Sequence, residues 1–170
     1  MNYYNEIKNK LIDNEVYKRV KDYSKNRNDL NTYYEVGKLL IEAQGGEERA
    51  KYGDRLIKEY SERLYNELGK KYDITTLKRY RQFYLKIEKG AALRHQLSWT
   101  HYRELLTLDN INELNYYVEI TIEQNLSYRQ LREKIKTKEY QRLDDNTKLK
   151  LINNEELEIN DNVKKSYSYM

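Results

Sequence analysis

Apolar residues recur every three or four positions along most of the chain, which places them on one face of an α-helix. The first run extends from about Tyr4 to Tyr23, and a second extends from near Asp29 to Gln44. The segment KNRND between them is predicted to be a connection. Asp29 is a suitable N-cap for the second helix, and two glycines follow Gln44, where they would end it.

A third and a fourth helix are predicted on either side of a short turn. The third extends from about Glu47 to Leu68, and Gly69 stands where a helix end commonly needs a left-handed residue. After the turn KKYD, with Asp73 as its N-cap, the fourth helix continues to about Glu88.

The segment KGAALRHQ is predicted to be a loop, and three shorter helices follow it. They extend from Ser98 to Leu106, from Asp109 to about Gln124, and from Ser127 to about Lys136, and Ser98 and Asp109 are the predicted caps of the first two. Ser127 and Gln130 have the spacing of a capping box. The apolar density falls from Leu143 on, and LINNEELEINDNV has no steady period, which is typical of a tail or linker.

Composition favours an all-α protein. The chain has no proline, only six glycines among its 170 residues, and 35% charged residues, as long helices with few sharp turns require. We therefore predict an all-α multi-helix bundle that contains a helix-turn-helix-like unit, with one domain over residues 1–143 and an acidic, flexible C-terminal tail over 144–170. The absence of cysteine excludes disulfides, cysteine nucleophiles and cysteine metal sites.

Charge is distributed unevenly between body and tail. The net charge is +4, but residues 144–170 carry six acids against four bases, which leaves six net positive charges on residues 1–143. Such a body suits a polyanionic partner, although solubility alone can account for it. No apolar run approaches the roughly 20 residues of a membrane span, and the first ten residues lack a secretory signal, so we expect a cytoplasmic protein without a membrane partner.

The predicted fourth helix has two unlike faces at about 100° per residue. One is apolar, with Leu77, Tyr80, Phe83, Tyr84 and Ile87. The other is polar and basic and contains no acid; it consists of Thr75, Lys78, Arg79, Gln82, Lys86 and Lys89. We call these six residues the basic arc. Like charges on one helix face repel one another, so a partner that offsets the repulsion is expected. Leu77, Tyr84 and Trp99 are expected to be largely buried.

A helix, a short turn and a second helix with a basic outer face are typical of a helix-turn-helix, whose second helix enters the major groove of DNA. Arginine and lysine reach phosphates and guanine edges, glutamine can pair with adenine, and threonine can contact phosphate or the thymine methyl. The basic arc is thus the predicted DNA-binding site, with Lys70 and Lys71 holding phosphate at the turn. The alternative is an ordinary lysine-rich helix in solvent.

A second candidate for DNA binding is the last predicted helix. Arg129, Arg132 and Lys136 share one face there, but Glu133 lies among them and can pair with Arg129 four residues away. A salt-bridged surface helix is therefore the alternative.

Five segments together resemble the N-terminal domain of the bacterial YhcG-like family, whose longer members carry a PD-(D/E)XK nuclease domain after it. They are YYEVGKLLIEAQ (33–44), RAKYGDRLIKEYSERL (49–64), LKRYRQFYL (77–85), QLSWTHYRELL (96–106) and IEQNLSYRQLREKI (122–135). The resemblance implies a helical, helix-turn-helix-like DNA-binding module and assigns that role to Asp73–Tyr84. Thr76 stands where the family usually has Asn, so no base preference can be transferred.

The resemblance leaves the motif Ser98, Trp99, His101, Tyr102 without assigned chemistry. A capped helix with Trp99 and Tyr102 in the core is the first interpretation, and a nucleic-acid contact is the alternative.

No catalytic centre is evident from the sequence. The only Glu-x-Lys pair, Glu6 and Lys8, has no acid before it, as a PD-(D/E)XK centre would need to hold Mg²⁺. His95 and His101 lie six residues apart, unsuited to one metal on one helix. We therefore predict no enzyme activity, no metal and no cofactor.

Double-stranded DNA is the predicted partner. The chain would be free-standing or the front part of a nuclease, with a nuclease domain or subunit as a further partner and homo-oligomerisation left open. The alternative function is a protein-interaction module of a defence or mobile-element system, whose basic face meets an acidic protein.

Overall fold

The structure is a computed structural model that describes residues 1–20, 25–50 and 53–152; the side chains of residues 17–20, 25–28, 70 and 152 are outside the description. The described residues form nine α-helices and two short 3-10 turns, without a strand, which confirms the predicted all-α class. The helices are α1 (Tyr3–Val20), α2 (Lys25–Ala43), α3 (Glu47–Ala50), α4 (Arg55–Leu68), α5 (Ile74–Glu88), α6 (Trp99–Leu105), α7 (Ile111–Glu123), α8 (Tyr128–Lys136) and α9 (Asp145–Ile152). The 3-10 turns are Lys70–Tyr72 and Tyr140–Arg142.

The chain divides into two compact units, one from Met1 to Trp99 and one that begins at Thr100. In the first unit, α2 packs mainly against α5, and α1 packs against α2. Ile7, Leu11 and Leu40 are fully buried in these contacts, so these members of the predicted apolar stripes do form its core. Ile12 and Val16, which share the predicted apolar pattern of α1, are instead exposed.

The start of α2 differs from the prediction. The segment KNRND is not a connection, because α2 begins at Lys25 and includes it. Asp29 therefore lies inside the helix and does not cap it. Its carboxylate is buried and accepts a hydrogen bond from Nδ2 of Asn14 at 3.0 Å, and this contact between α1 and α2 accounts for an acid at that position.

The predicted single helix from Glu47 to Leu68 is also wrong, because it is divided into α3 and α4. Side chains hold backbone carbonyl groups at the end of α3 and just before α4, on either side of residues 51 and 52, which lie outside the described residues. Nε2 of Gln44 donates to the carbonyl of Gly53 at 2.6 Å, and Nη1 of Arg81 donates to that of Ala50 at 3.3 Å. These contacts tie both flanks of the break to neighbouring helices and replace the helical bonds that a continuous helix would need.

The second unit is organised around α7, whose Leu114, Tyr117 and Val118 are buried. Asn110, not Asp109 as predicted, caps α7 by accepting a hydrogen bond from the Glu113 amide at 3.1 Å.

The predicted capping box of α8 is confirmed. Oγ of Ser127 accepts from the Gln130 amide, and Oε1 of Gln130 accepts from the Ser127 amide.

The first part of the predicted tail is helical. Asp145–Ile152 forms α9, which contacts α7, and Thr147 is 1% exposed. The segment predicted as a tail therefore includes a helix over these eight residues. The rest of the predicted tail, residues 153–170, lies outside the described residues.

Candidate nucleic-acid interface

The turn before α5 is built from conformations that its sequence favours. Gly69 ends α4 with φ of 101°, a conformation that glycine adopts without strain. Oγ of Ser61 donates to the carbonyl of Tyr72 and so holds the 3-10 turn against α4. Asp73 then caps α5 by accepting from the Thr76 amide at 2.8 Å, as predicted.

The orientation of α5 follows from its buried face. Leu77, Tyr80 and Phe83 are between 0% and 3% exposed. The predicted burial of Leu77 is confirmed, whereas Tyr84 and Trp99 are only half-buried. The Tyr84 ring packs at the edge of the α2–α5 contact, 5.1 Å from the ring of Tyr34.

Trp99 takes part in an aromatic cluster. Its ring lies between 5.0 and 5.3 Å from those of Tyr33, Tyr80 and Phe83. The cluster gives this half-buried side chain a packing role in the first unit.

The basic arc is partly accessible. Thr75, Gln82 and Lys89 are exposed, as is Lys71 at the turn, and Lys78 and Arg79 are half-buried. The side chain of Lys70 lies outside the description.

The prediction that the whole basic arc is exposed is wrong at Lys86, because this residue is only 9% exposed. It lies about 60° around the helix from buried Phe83 at 100° per residue. The chain also turns back next to it, since the amide of Ala91 donates to the Lys86 carbonyl at 2.9 Å. Lys86 is therefore part of the packed side of α5 and does not belong to its exposed face.

Three predicted DNA-binding lysines pair with carboxylates from other segments. Nζ of Lys71 lies 3.2 Å from Oε2 of Glu15. The pair of Lys78 with Asp54 measures 2.7 Å, and that of Lys89 with Glu47 measures 3.4 Å. The surface thus combines bases of α5 with acids supplied by other parts of the first unit.

Arg81 is a member of this surface that sequence reasoning missed. Its side chain is 16% exposed and donates through Nη1 to Oε1 of Gln44 at 2.9 Å, while Nη2 lies 3.6 Å from Oδ1 of Asp54. On the helix it lies about 60° from Lys78, just outside the basic arc. Helical periodicity does not predict that Asp54 and its neighbours approach Arg81.

Two carboxylates next to α5 are held in the ionised form. The hydrogen bond from Lys78 lowers the pKa of Asp54 below its usual value, and Arg81 adds to the effect. The backbone hydrogen bond from Thr76 lowers the pKa of Asp73 in the same direction. Glu88, the only acid within α5, accepts a hydrogen bond from Tyr34, which raises the pKa of that tyrosine to about 12.

The second candidate surface, on α8, has its own acidic partner. Nε and Nη2 of Arg132 donate to Oε1 of Glu104 at 3.0 and 2.6 Å. Arg129 donates to the Tyr128 hydroxyl at 3.1 Å, a contact that differs from the expected pair with Glu133. Lys136 is exposed.

The Ser98–Tyr102 motif has a packing role in each unit. In the first unit, Trp99 packs in the aromatic cluster. In the second unit, Tyr102 is 1% exposed. Nε2 of His101 donates to the Leu126 carbonyl at 2.8 Å, which connects α6 to the residue just before the α8 capping box.

Within the described ranges, no three His, Cys, Asp or Glu side chains are grouped as a metal site would require. None of the helices in the same ranges is long and apolar enough to cross a membrane.

Comparison with known proteins identifies the family. No curated protein and no solved structure matches the chain significantly. The DUF1016 N-terminal domain matches residues 8–142, which confirms the resemblance to the YhcG-like N-terminal region, and no nuclease domain is found in this chain. The match covers most of the chain, which therefore belongs to the DUF1016 N-terminal domain family.

Proposed function

We propose that the chain is a DNA-binding module that contacts duplex DNA with the outward face of α5. The observation that carries the proposal is the combination of exposed Thr75 and Gln82 with the half-buried bases Lys78 and Arg79 on a capped helix that follows a short turn. This order of elements and side chains suits a recognition helix. Lys89 lies near the other end of the helix and Lys71 at the turn, where each can neutralise a phosphate.

The mode of action that we propose is binding without catalysis, in the cytoplasm, with a nuclease domain or nuclease subunit as the partner that would act on the bound DNA. The second surface, on α8, would add phosphate contacts through Arg129 and Lys136, which are exposed. Self-association would bring two such surfaces onto one duplex.

An acidic protein is the alternative partner. The specific observation in its favour is that Lys71, Lys78 and Lys89 already pair with carboxylates, so this surface complements acidic side chains. DNA binding weakens steeply and linearly with the logarithm of salt concentration on any duplex. A protein partner would instead show selectivity among proteins and little affinity for DNA.

The test is the triple change Lys78→Ala, Arg79→Ala, Gln82→Ala, measured by fluorescence anisotropy on a random duplex over a salt series. We expect weaker binding and a salt slope reduced by roughly two, because two phosphate-neutralising bases are removed. Lys38→Ala with Lys58→Ala is the control, since it removes the same charge from exposed positions of α2 and α4. A folded triple variant that binds as tightly as the parent would overturn the assignment of DNA binding to α5.

A further inference from the structure

The side chain of Asp54 pairs with cations of another helix and does not cap its own. It occupies the N-cap position of α4, where an aspartate commonly accepts a hydrogen bond from the first turn, yet its side chain makes no capping hydrogen bond. Its carboxylate instead reaches α5, with Oδ2 at 2.7 Å from Nζ of Lys78 and Oδ1 at 3.6 Å from Nη2 of Arg81. One anion thus lies between two cations that stand one turn apart.

From this geometry we infer that Lys78 and Arg81 form a phosphodiester-binding site, and that the Asp54 carboxylate occupies it until DNA displaces it. A phosphodiester carries one negative charge and two non-bridging oxygens, so it offers the two cations the same charge and the same pair of acceptors as the carboxylate. The inference rests on the proposed function and adds to it an arginine and a competing acid.

The side chains around this site allow the exchange. Arg81 is only 16% exposed and is oriented by Gln44 and by the Ala50 carbonyl, so its guanidinium stays in place when the anion leaves. Asp54 and Lys78 are much more accessible, with side-chain exposures of 54% and 41%.

The energetics of the carboxylate permit its displacement. Exposed ion pairs of this kind contribute little stability. The pKa of Asp54 is lowered by its hydrogen bond with Lys78, so the carboxylate is charged at neutral pH and competes with phosphate as an anion. Asp54 therefore reduces the affinity for DNA but does not prevent DNA from binding.

The experiment compares Asp54→Asn with the parent chain on a random duplex over a salt series. Removal of the competing charge should tighten binding by about two- to fivefold, the factor that corresponds to an exposed ion pair of up to about 1 kcal/mol. Glu59→Gln is the matched control, because it removes one negative charge from an exposed position of α4. Its effect on binding should be smaller.

A second comparison tests whether Asp54 acts through Lys78. In a Lys78→Ala background, Asp54→Asn should tighten binding less than it does in the parent, because one of the two cations it competes for is absent. If the parent binds DNA and Asp54→Asn changes the affinity no more than Glu59→Gln, the competing carboxylate is overturned while the proposed function stands. If neither the parent nor Asp54→Asn binds duplex DNA, both proposals are overturned together.

Discussion

At Gly37, the backbone of α2 approaches α5 so closely that no side chain fits between the two helices. A Cβ atom there would lie 2.1 Å from the Tyr80 carbonyl oxygen and 2.9 Å from Cβ of Tyr84. Because the first of these neighbours is backbone, it cannot move aside as a flexible side chain would. Gly37→Ala should therefore lower the free energy of unfolding by about 1–3 kcal/mol, or more, as overpacking in a core does. Urea unfolding followed by fluorescence of Trp99 measures the effect.

The control for Gly37 is Gly53→Ala. Apart from Gly53 itself and its two chain neighbours, nothing lies within 4 Å of a Cβ placed at Gly53, and its φ is not positive. The added methyl group should leave stability unchanged or raise it by up to about 1 kcal/mol, since it restricts the unfolded chain. Equal stability of Gly37→Ala and the parent would mean that α2 and α5 pack less closely than described.

Lys86 and Lys89 belong to the same basic arc but should respond differently to truncation. Lys86 is 9% exposed, and its side chain contributes packing as well as charge. Lys86→Ala should lower the free energy of unfolding by about 1 kcal/mol or more, as losses of buried packing do. Lys89→Ala should stay within about 0.5 kcal/mol, because the side chain is exposed and its ion pair with Glu47 is on the surface. Similar unfolding midpoints for the two variants would contradict the burial of Lys86.

At the scale of an element, the position of α5 depends on how it begins. Asp73→Ala should lower the free energy of unfolding by about 1 kcal/mol, since the variant leaves the Thr76 amide without its capping acceptor. Asp73→Asn is the control, because asparagine caps helices about equally well. Chemical unfolding at pH 7 measures both, and parent-like stability of the alanine variant would show that the cap does not stabilise α5.

The same cap gives a dependence on pH with a definite sign. The folded chain holds the pKa of Asp73 below its usual value, so the stabilisation is complete above about pH 4 and is lost as the pH falls further through the lowered pKa. Asparagine does not titrate. The stability of Asp73→Asn relative to the parent should therefore rise between pH 5 and pH 2, and a constant difference over that range would contradict the assignment.

Elements marked by a local signal were predictable from the sequence. The cap of α5 at Asp73, the glycine before it and the capping box of α8 all depend on residues within a few positions. The start of α2 and the break between α3 and α4 were not predictable, because they depend on Asn14 and Arg81, which come from other helices. A polar residue next to a helix can cap it or contact a neighbouring helix, and periodicity does not decide between the two.

At the scale of the whole molecule, the candidate site was predictable only in part. The helical periodicity of α5 identified exposed Thr75 and Gln82, but it placed Lys86 on the wrong side. The acids that pair with the arc and with the turn before it come from distant parts of the sequence, as Glu15 does for Lys71 at the turn across 56 positions. A helix projection contains no information on such partners, so it overestimates the positive charge that the surface presents.

The last eight described residues lead to a prediction about the length of the folded chain. Within the second unit, α9 contacts α7, Thr147 is buried, and Nζ of Lys148 lies 5.6 Å from the centre of the Tyr140 ring. A chain that ends at Leu143 loses all three contributions. It should melt several degrees below the full chain, since a loss of about 1 kcal/mol shifts the midpoint by roughly 4–8 °C in a domain of 60–100 residues.

A chain that ends at Ile152 is the matched control for this truncation. The segment from residue 153 on has low apolar density, and its removal should leave the melting temperature unchanged. Calorimetry of both truncated chains and of the full chain measures the three melting temperatures. If the chain ending at Leu143 melts like the full chain, α9 contributes nothing to stability. If the chain ending at Ile152 already melts lower, the stabilising contacts lie beyond α9, and Leu157 is the first apolar residue to substitute there.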